Sequence, residues 1–212
     1  MNEKNLNRIE HRSKPGKIAL FFITVALFGF QTMLISGGNK VKNLEKATLG
    51  AGCFWCVEAV FDRIDGVVDV VAGYSGGTVA NPSYQHVCTG TTGHAEVAQI
   101  TYDADKLSYT ELLDVFWKAH DPTTLNRQGA DVGTQYRSAI FYHNESQNLK
   151  AEESKGEISE SGVFGEKIVT EIVPLEEFYA AENYHQDYFE NNPDASYCRL
   201  VIRPKLRKLK LK

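Results

Sequence analysis

Two thiols three positions apart, Cys53 and Cys56, flank two large aromatics in Gly52-Cys53-Phe54-Trp55-Cys56. They stand where an apolar strand-like run, Ala47 to Ala51, gives way to a helix-like run, Phe54 to Ile64. A cysteine at a helix N-terminus faces aligned peptide dipoles and free N–H groups, which favour the thiolate, the nucleophilic form. Cys53 is therefore the candidate nucleophile of a redox site, against the plain alternative that both cysteines are small buried hydrophobes. A second reactive group comes from the strand predicted over Ala95 to Tyr102, where alternation puts Glu96 on the same face as Ala98, Ile100 and Tyr102. If the helix of Cys53 covers that face, Glu96 is poorly solvated, keeps its proton and serves as a general acid. An exposed strand-end glutamate is the competing reading.

Two irregular stretches supply the remaining polar groups. Ser75 to Gly93, followed by His94, carries Tyr84, His86 and Cys88, and Thr123 to Arg137 carries Asp131, Gln135, Tyr136 and Arg137. A zinc site built from Cys53, Cys56, Cys88 and a histidine is disfavoured, because His86-x-Cys88 matches no common finger or ribbon spacing. Gly76-Gly77 is not followed by the Lys-Ser/Thr of a phosphate loop. A Cys-x-x-Cys disulfide oxidoreductase is the serious competitor, although aromatic residues inside the motif and tyrosine-bearing loops suit a small-molecule pocket better. Cys88 reads as structural, and the histidines share no metal-ligand spacing, so no metal is expected.

These groups need a scaffold to bring them together. Lys46 to Ala51 predicts a strand, Phe54 to Ile64 a helix stopped by Asp65-Gly66, and Val67 to Tyr74 a β-branched strand. After the long loop come Ala95 to Tyr102, a helix opened by the capping box of Ser108 and Glu111, and the strand Ser138 to Tyr142. Asn144 with Gln147 caps a polar, solvent-facing helix to about Ser159. Lys167 to Val173 predicts a strand, Leu175 to Glu190 one or two short helices, and the chain from Asn192 a basic tail. Strand-helix-strand twice over is the split βαβ arrangement of a ferredoxin-like α+β core, with a mixed or antiparallel sheet, helices on one face and C-terminal additions.

At 212 residues, 42% hydrophobic and 24% charged, the chain has ordinary globular composition, and a net charge of −4 gives no case for nucleic acid. Four cysteines make no disulfide framework. Residues 1–36 stand apart: a polar flank with Arg8, Arg12, Lys14 and Lys17 precedes the apolar run Ile18 to Phe30, which extends to Ile35. That pattern predicts an export signal or an uncleaved membrane anchor, with the domain delivered outside the cytoplasm. Residues 37–45 then form a linker and 46–212 one catalytic domain, expected to be monomeric.

Five motifs, in order, carry a resemblance. Gly52-Cys53-Phe54-Trp55, Gly73-Tyr74-Ser75-Gly76-Gly77, Asn81-Pro82-x-Tyr84, Cys88-x-Gly90-x-Thr92-Gly93-His94-Ala95-Glu96 and Asp131-x-Gly133-Thr134-Gln135-Tyr136-Arg137-Ser138 resemble the A-type peptide methionine sulfoxide reductases, over roughly Ala47 to Lys208. The resemblance implies the same α+β core and assigns roles. Cys53 attacks the sulfoxide sulfur, Glu96 with Tyr84 and Tyr136 protonates the oxygen, Phe54 and Trp55 enclose the methyl group, and Asp131 orders the site. It also implies the S epimer of methionine sulfoxide in oxidised proteins or free, a sulfenic acid on Cys53, a disulfide with a second thiol, and a thioredoxin-type donor without a bound cofactor. The sequence departs from the family at position 56, more often glycine there, and lacks the two-cysteine glycine-rich tail. The resolving thiol is then Cys56, one helical turn from Cys53, or Cys198, which matches a recycling position of the family and lies on a tail that must approach the pocket; the first choice is Cys198.

Overall fold

The computed structural model describes residues 43–211. The basic flank and apolar run at 1–36, and the linker as far as residue 42, lie outside these residues. Strand β1, Leu44–Ala51, begins inside the expected linker. It leads to α1 (Phe54–Phe61), β2 (Val67–Ser75), α2 (Tyr84–Cys88), β3 (Ala95–Asp103) and α3 (Tyr109–Ala119). Two short strands, β4 (Arg127–Gln128) and β5 (Asp131–Val132), form a separate ladder before β6 (Ser138–Tyr142), α4 (Glu145–Glu160), β7 (Glu171–Pro174), β8 (Phe178–Ala180), α5 (Tyr188–Asn191) and α6 (Arg203–Lys208).

The main sheet has the order β7-β6-β1-β3-β2-β8. Its four inner strands, β6-β1-β3-β2, are antiparallel neighbours, which is the split βαβ core. β7 adds in parallel to β6 and β8 antiparallel to β2. Helix α1 packs on β1, β2 and β3, and α3 packs on β1 and α4. Between them lie Leu49, Val57, Phe61, Ile100, Leu112, Phe116 and Ile140, all within the buried core. Each side chain of this size contributes about 1.5–3 kcal/mol on full burial, so the helical face of the sheet is the stable platform of the molecule. The opposite face carries Ala95, Val97, Ala139 and Phe141 and is covered by Val173, Leu175 and Phe178 on the crossing from β7 to β8.

Several local expectations are corrected. The long loop after β2 contains α2, capped by the Ser83 side chain, which accepts from the His86 amide at 3.3 Å. The strand expected over Lys167 to Val173 is confined to Glu171–Pro174, because the Val169 amide goes instead to the Pro122 carbonyl at 2.9 Å. Part of the helical region expected after Leu175 is β8, drawn onto the open edge of β2. The approach is close at Gly73, where a Cβ would lie 2.5 Å from the Phe178 ring and the Tyr179 carbonyl. Helix α4 is not simply solvent-facing: it buries Gln147, Ala151 and Ser154. Its polar groups are used inside, Gln147 donating to the Lys46 carbonyl at 2.7 Å and Ser154 accepting from the Trp117 indole at 2.8 Å.

The C-terminal stretch is no loose tail. A wide π turn at Cys198–Ile202 runs into α6, and Cys198, Ile202 and Leu206 enter the core.

Candidate active site

The site begins with a turn that only glycine makes easily. Gly52 has φ +89°, and a Cβ there would meet Gln128 at 2.6 Å. This turn sets Cys53 at the N-cap of α1, whose first turn closes with the Cys56 amide donating to the Cys53 carbonyl at 3.0 Å. The next free amide of the helix, that of Phe54, does not serve the sulfur. It donates to Oε2 of Glu96 at 3.1 Å.

Burial decides the electrostatics. Glu96 points toward the helices as its strand alternation predicts, and it is 1% exposed. Burial pushes its carboxyl up to about 8 against the Phe54 amide, with the charges of Asp131 and Cys56 adding to the rise. It therefore carries its proton at neutral pH and is able to act as a general acid. The expectation that Cys53 rests as a thiolate is corrected. Burial first, then its hydrogen bond to Cys56 and the neighbouring Glu96, hold the Cys53 thiol well above the ordinary range.

Cys56 has the opposite tendency. The hydrogen bond from Cys53 brings it down to about 7 against its burial, helped by the Lys205 cation and the Tyr197 hydroxyl. Its sulfur lies 3.7 Å from the Tyr197 oxygen, and that hydroxyl donates to Oδ2 of Asp131 at 2.6 Å. Cys53, Cys56, Asp131, Tyr197, Val201 and Lys205 line one cleft of about 200 Å³. Asp131 thus enters the site through Tyr197 and the thiol pair.

On the other side of Cys53 lies an aromatic pocket. Phe54 is buried against Tyr74 and stacks on Tyr84 at 6.4 Å. Trp55 donates its indole N–H to Nδ1 of His185 at 3.1 Å and stacks on Tyr188 with ring centroids 3.6 Å apart. Tyr84 and Tyr136 pack on the same cluster. Their hydroxyls are pushed up, by burial first and with Glu96 adding in both, so they remain hydrogen-bond donors. Glu182 anchors this wall by accepting from the Tyr84 amide and the Tyr74 hydroxyl, both at 2.9 Å.

The structure thus gathers Cys53, Cys56, Phe54, Trp55, Tyr84, Glu96, Asp131 and Tyr136. It places Cys198 beside the site yet facing the core, fully buried. Cys88 ends α2 on the surface, with its sulfur on the Tyr84 hydroxyl. His94 is structural, accepting from the Gly77 amide at 3.1 Å and bonded to the Val79 carbonyl at 2.8 Å. Sequence reasoning missed Glu182, His185, Tyr188, Tyr197 and Lys205. One signal was available: a large indole beside a reactive thiol needs an acceptor, and His185 sits in an aromatic-rich stretch.

A proton-bearing acid against a buried thiol suits cleavage of a sulfur–oxygen bond, whereas disulfide exchange has no use for it. The fold and site together define a thiol-dependent oxidoreductase. Residues 45–212 match the family model described as peptide methionine sulfoxide reductase. The peptide methionine sulfoxide reductase MsrA of Saccharolobus solfataricus is 58% identical over 165 residues, covering 78% of this chain and 92% of that protein. Mxr1 from Saccharomyces cerevisiae in its reduced form superimposes with a TM-score of 0.69 at 39% identity, covering 73% of this chain and 89% of that one. The same yeast protein has been solved in complex with Trx2, matching at TM-score 0.50 and 30% identity over 71% of this chain and 87% of that one. The chain belongs to the peptide methionine sulfoxide reductase family and is an oxidoreductase of that type. The alternatives of a general disulfide oxidoreductase and a metal-binding module are set aside. Among the described residues no group of three or more His, Cys, Asp or Glu is placed to hold a metal ion.

Proposed function

We propose that the protein reduces methionine S-sulfoxide, in oxidised proteins and free, through a sulfenic acid on Cys53 and then a Cys53–Cys56 disulfide. The observation that carries this reading is the protonated Glu96, hydrogen-bonded at 3.1 Å to the residue that follows the nucleophile. Phe54 and Trp55 take the S-methyl group, and Glu96 with the Tyr84 and Tyr136 hydroxyls takes the oxygen. The Cys53 sulfur bonds to the sulfoxide sulfur as Glu96 protonates its oxygen; the Cys53 thiol proton replaces the one Glu96 gave, oxygen passes to Cys53 and methionine leaves. The balance is one sulfoxide and one thiol giving one thioether and one sulfenic acid. The S epimer is the stereochemistry the family resemblance implies.

Cys56 then displaces the oxygen of the sulfenic acid as water. The choice of Cys56 over Cys198 rests on placement, since Cys56 shares the cleft with Cys53 while Cys198 faces the core. A thioredoxin-type dithiol reopens the disulfide, a role supported by the yeast relative solved with Trx2. Export of the domain is part of the same proposal and is supported by the basic and apolar segments at 1–35. The donor is then a thioredoxin-like protein outside the cytoplasm.

One turnover without reductant tests the chemistry. Wild-type enzyme is expected to yield one methionine from the S epimer and none from the R epimer, and Cys53→Ser to yield none from either. Peptide mass spectrometry is expected to find Cys53 joined to Cys56 with Cys198 free. Methionine from Cys53→Ser sinks the mechanism; a Cys53–Cys198 bond sinks only the assignment of Cys56.

A further inference from the structure

The cleft that holds the two thiols is closed on one side by the C-terminal helical segment. Tyr197, Val201 and Lys205 recur every four residues along it and all line the cleft. Cys198, Ile202 and Leu206, each one position further on, are buried on the core-facing side. The π turn at Cys198–Ile202 lets this four-residue repeat hold its line into α6. The outcome is that the segment presents a hydroxyl and an ammonium to the sulfur pair and turns its own thiol away.

The charges around Cys56 come from several elements. Cys53 starts its own helix, Glu96 comes from β3, Asp131 from β5, and Tyr197, Cys198 and Lys205 from the C-terminal segment. Glu96 is neutral at pH 7 and the Asp131 carboxylate is engaged by Tyr197 at 2.6 Å. Among the described residues Lys205 is the only basic one lining the cleft, and it makes no ion pair with a described carboxylate. Its cation shares the cleft with both thiols and favours the Cys56 thiolate, against the Asp131 carboxylate.

We infer that Lys205 is a positioning residue for the second chemical step: its ammonium holds Cys56 as the thiolate that attacks the sulfenic sulfur of Cys53. The inference rests on Cys56 being the resolving thiol. In that step the Cys56 electron pair forms the S–S bond, the S–O bond breaks, and the departing oxygen takes one proton, delivered through the Glu96 carboxyl, to leave as water. Cys56 is oxidised and the sulfenic sulfur reduced, so no further oxidant is needed. Reduction of the sulfoxide itself uses Cys53 and Glu96 and makes no demand on Lys205.

The test follows one turnover of the full chain with excess methionine S-sulfoxide and no reductant. Methionine release and dimedone-reactive sulfenic acid are recorded in the same samples from pH 5.5 to 9. For Lys205→Met, loss of sulfenic acid is expected to slow about fivefold relative to methionine release at pH 7, because a one-unit rise from about 7 takes the Cys56 thiolate from about half to about a tenth. Its pH midpoint should move upward, and Lys205→Arg should restore both. A Lys205→Met enzyme that closes its disulfide at the wild-type relative rate and midpoint overturns the inference. So does equal slowing in both variants with the midpoint unmoved, which marks a structural role. A Cys53–Cys198 disulfide in the wild type, seen by peptide mass spectrometry, instead overturns the prior assignment of Cys56.

Discussion

Glu96 owes its proton to burial, and Cys53 owes its own first to burial, then to its hydrogen bond with Cys56 and the neighbouring Glu96. The pH behaviour follows in sign. An acid catalyst works while protonated, so the rate of methionine formation in one turnover is expected to fall as pH rises through about 8. The same shift makes the buried carboxyl progressively unfavourable to folding between its ordinary range and about 8, because the folded state binds the proton more tightly. Glu96→Gln keeps an oxygen for the Phe54 amide and loses the acid. Its methionine formation should drop about 10²–10⁴-fold and lose the fall above pH 8. A wild-type rate that stays level to pH 9.5 would remove Glu96 from the acid role. Both residues were legible in the sequence, Cys53 from its place before a helix and Glu96 from strand alternation. The protonation of Cys53 was not legible, because it follows first from burial by distant parts of the chain, which local pattern does not record.

Helix α1 also fixes the aromatic wall. One turn beyond the thiols, Glu58 is 1% exposed and accepts from the amides of Asp187 and Tyr188 at 2.9 and 3.2 Å. It thereby anchors α5, whose first residue stacks on Trp55. Burial raises the Glu58 carboxyl to about 7 against those two amides. Glu58→Ala leaves the amides without their acceptor and is expected to cost about 1–3 kcal/mol in urea denaturation. It should also raise KM for a sulfoxide peptide as Tyr188 loosens from Trp55. Unchanged stability and KM would show that α5 is held by other contacts. Apart from α2, the strands and helices through α3 were legible because period-two and period-3.6 patterns and a capping box mark them. The stretch from 167 to 191 was not, since its strands form by pairing with the distant edges of β6 and β2, which local pattern does not record.

The order of elements sufficed to derive the split βαβ sheet, since two strand-helix-strand units leave few ways to pair. The expected basic tail failed for a different reason. Its lysines and arginines alternate with Ile202 and Leu206, and the apolar side is buried while the charged side stays out. The same segment proves to be a wall of the active site. For the chain as a whole, the basic and apolar residues 1–35 carry an expectation that a fusion can check. A reporter enzyme active only outside the cytoplasm, joined after Lys46, is expected to be active. Good expression without activity would return the domain to the cytoplasm.

A repair enzyme for oxidised sulfur works amid oxidants, and its own nucleophile is among the most vulnerable atoms it contains. Cys53 is 8% exposed, Cys56 2% and Cys198 0%. Hydrogen peroxide reacts with thiolate in proportion to access, and repeated attack carries a cysteine to sulfinic acid, beyond rescue by a dithiol. Here the proposed attacking sulfur keeps its proton and is nearly sealed from solvent. The burial that raises the Cys53 thiol is thereby expected to slow its inactivation by peroxide, so that oxidation reaches the sulfur chiefly by way of a sulfoxide, as one countable turnover.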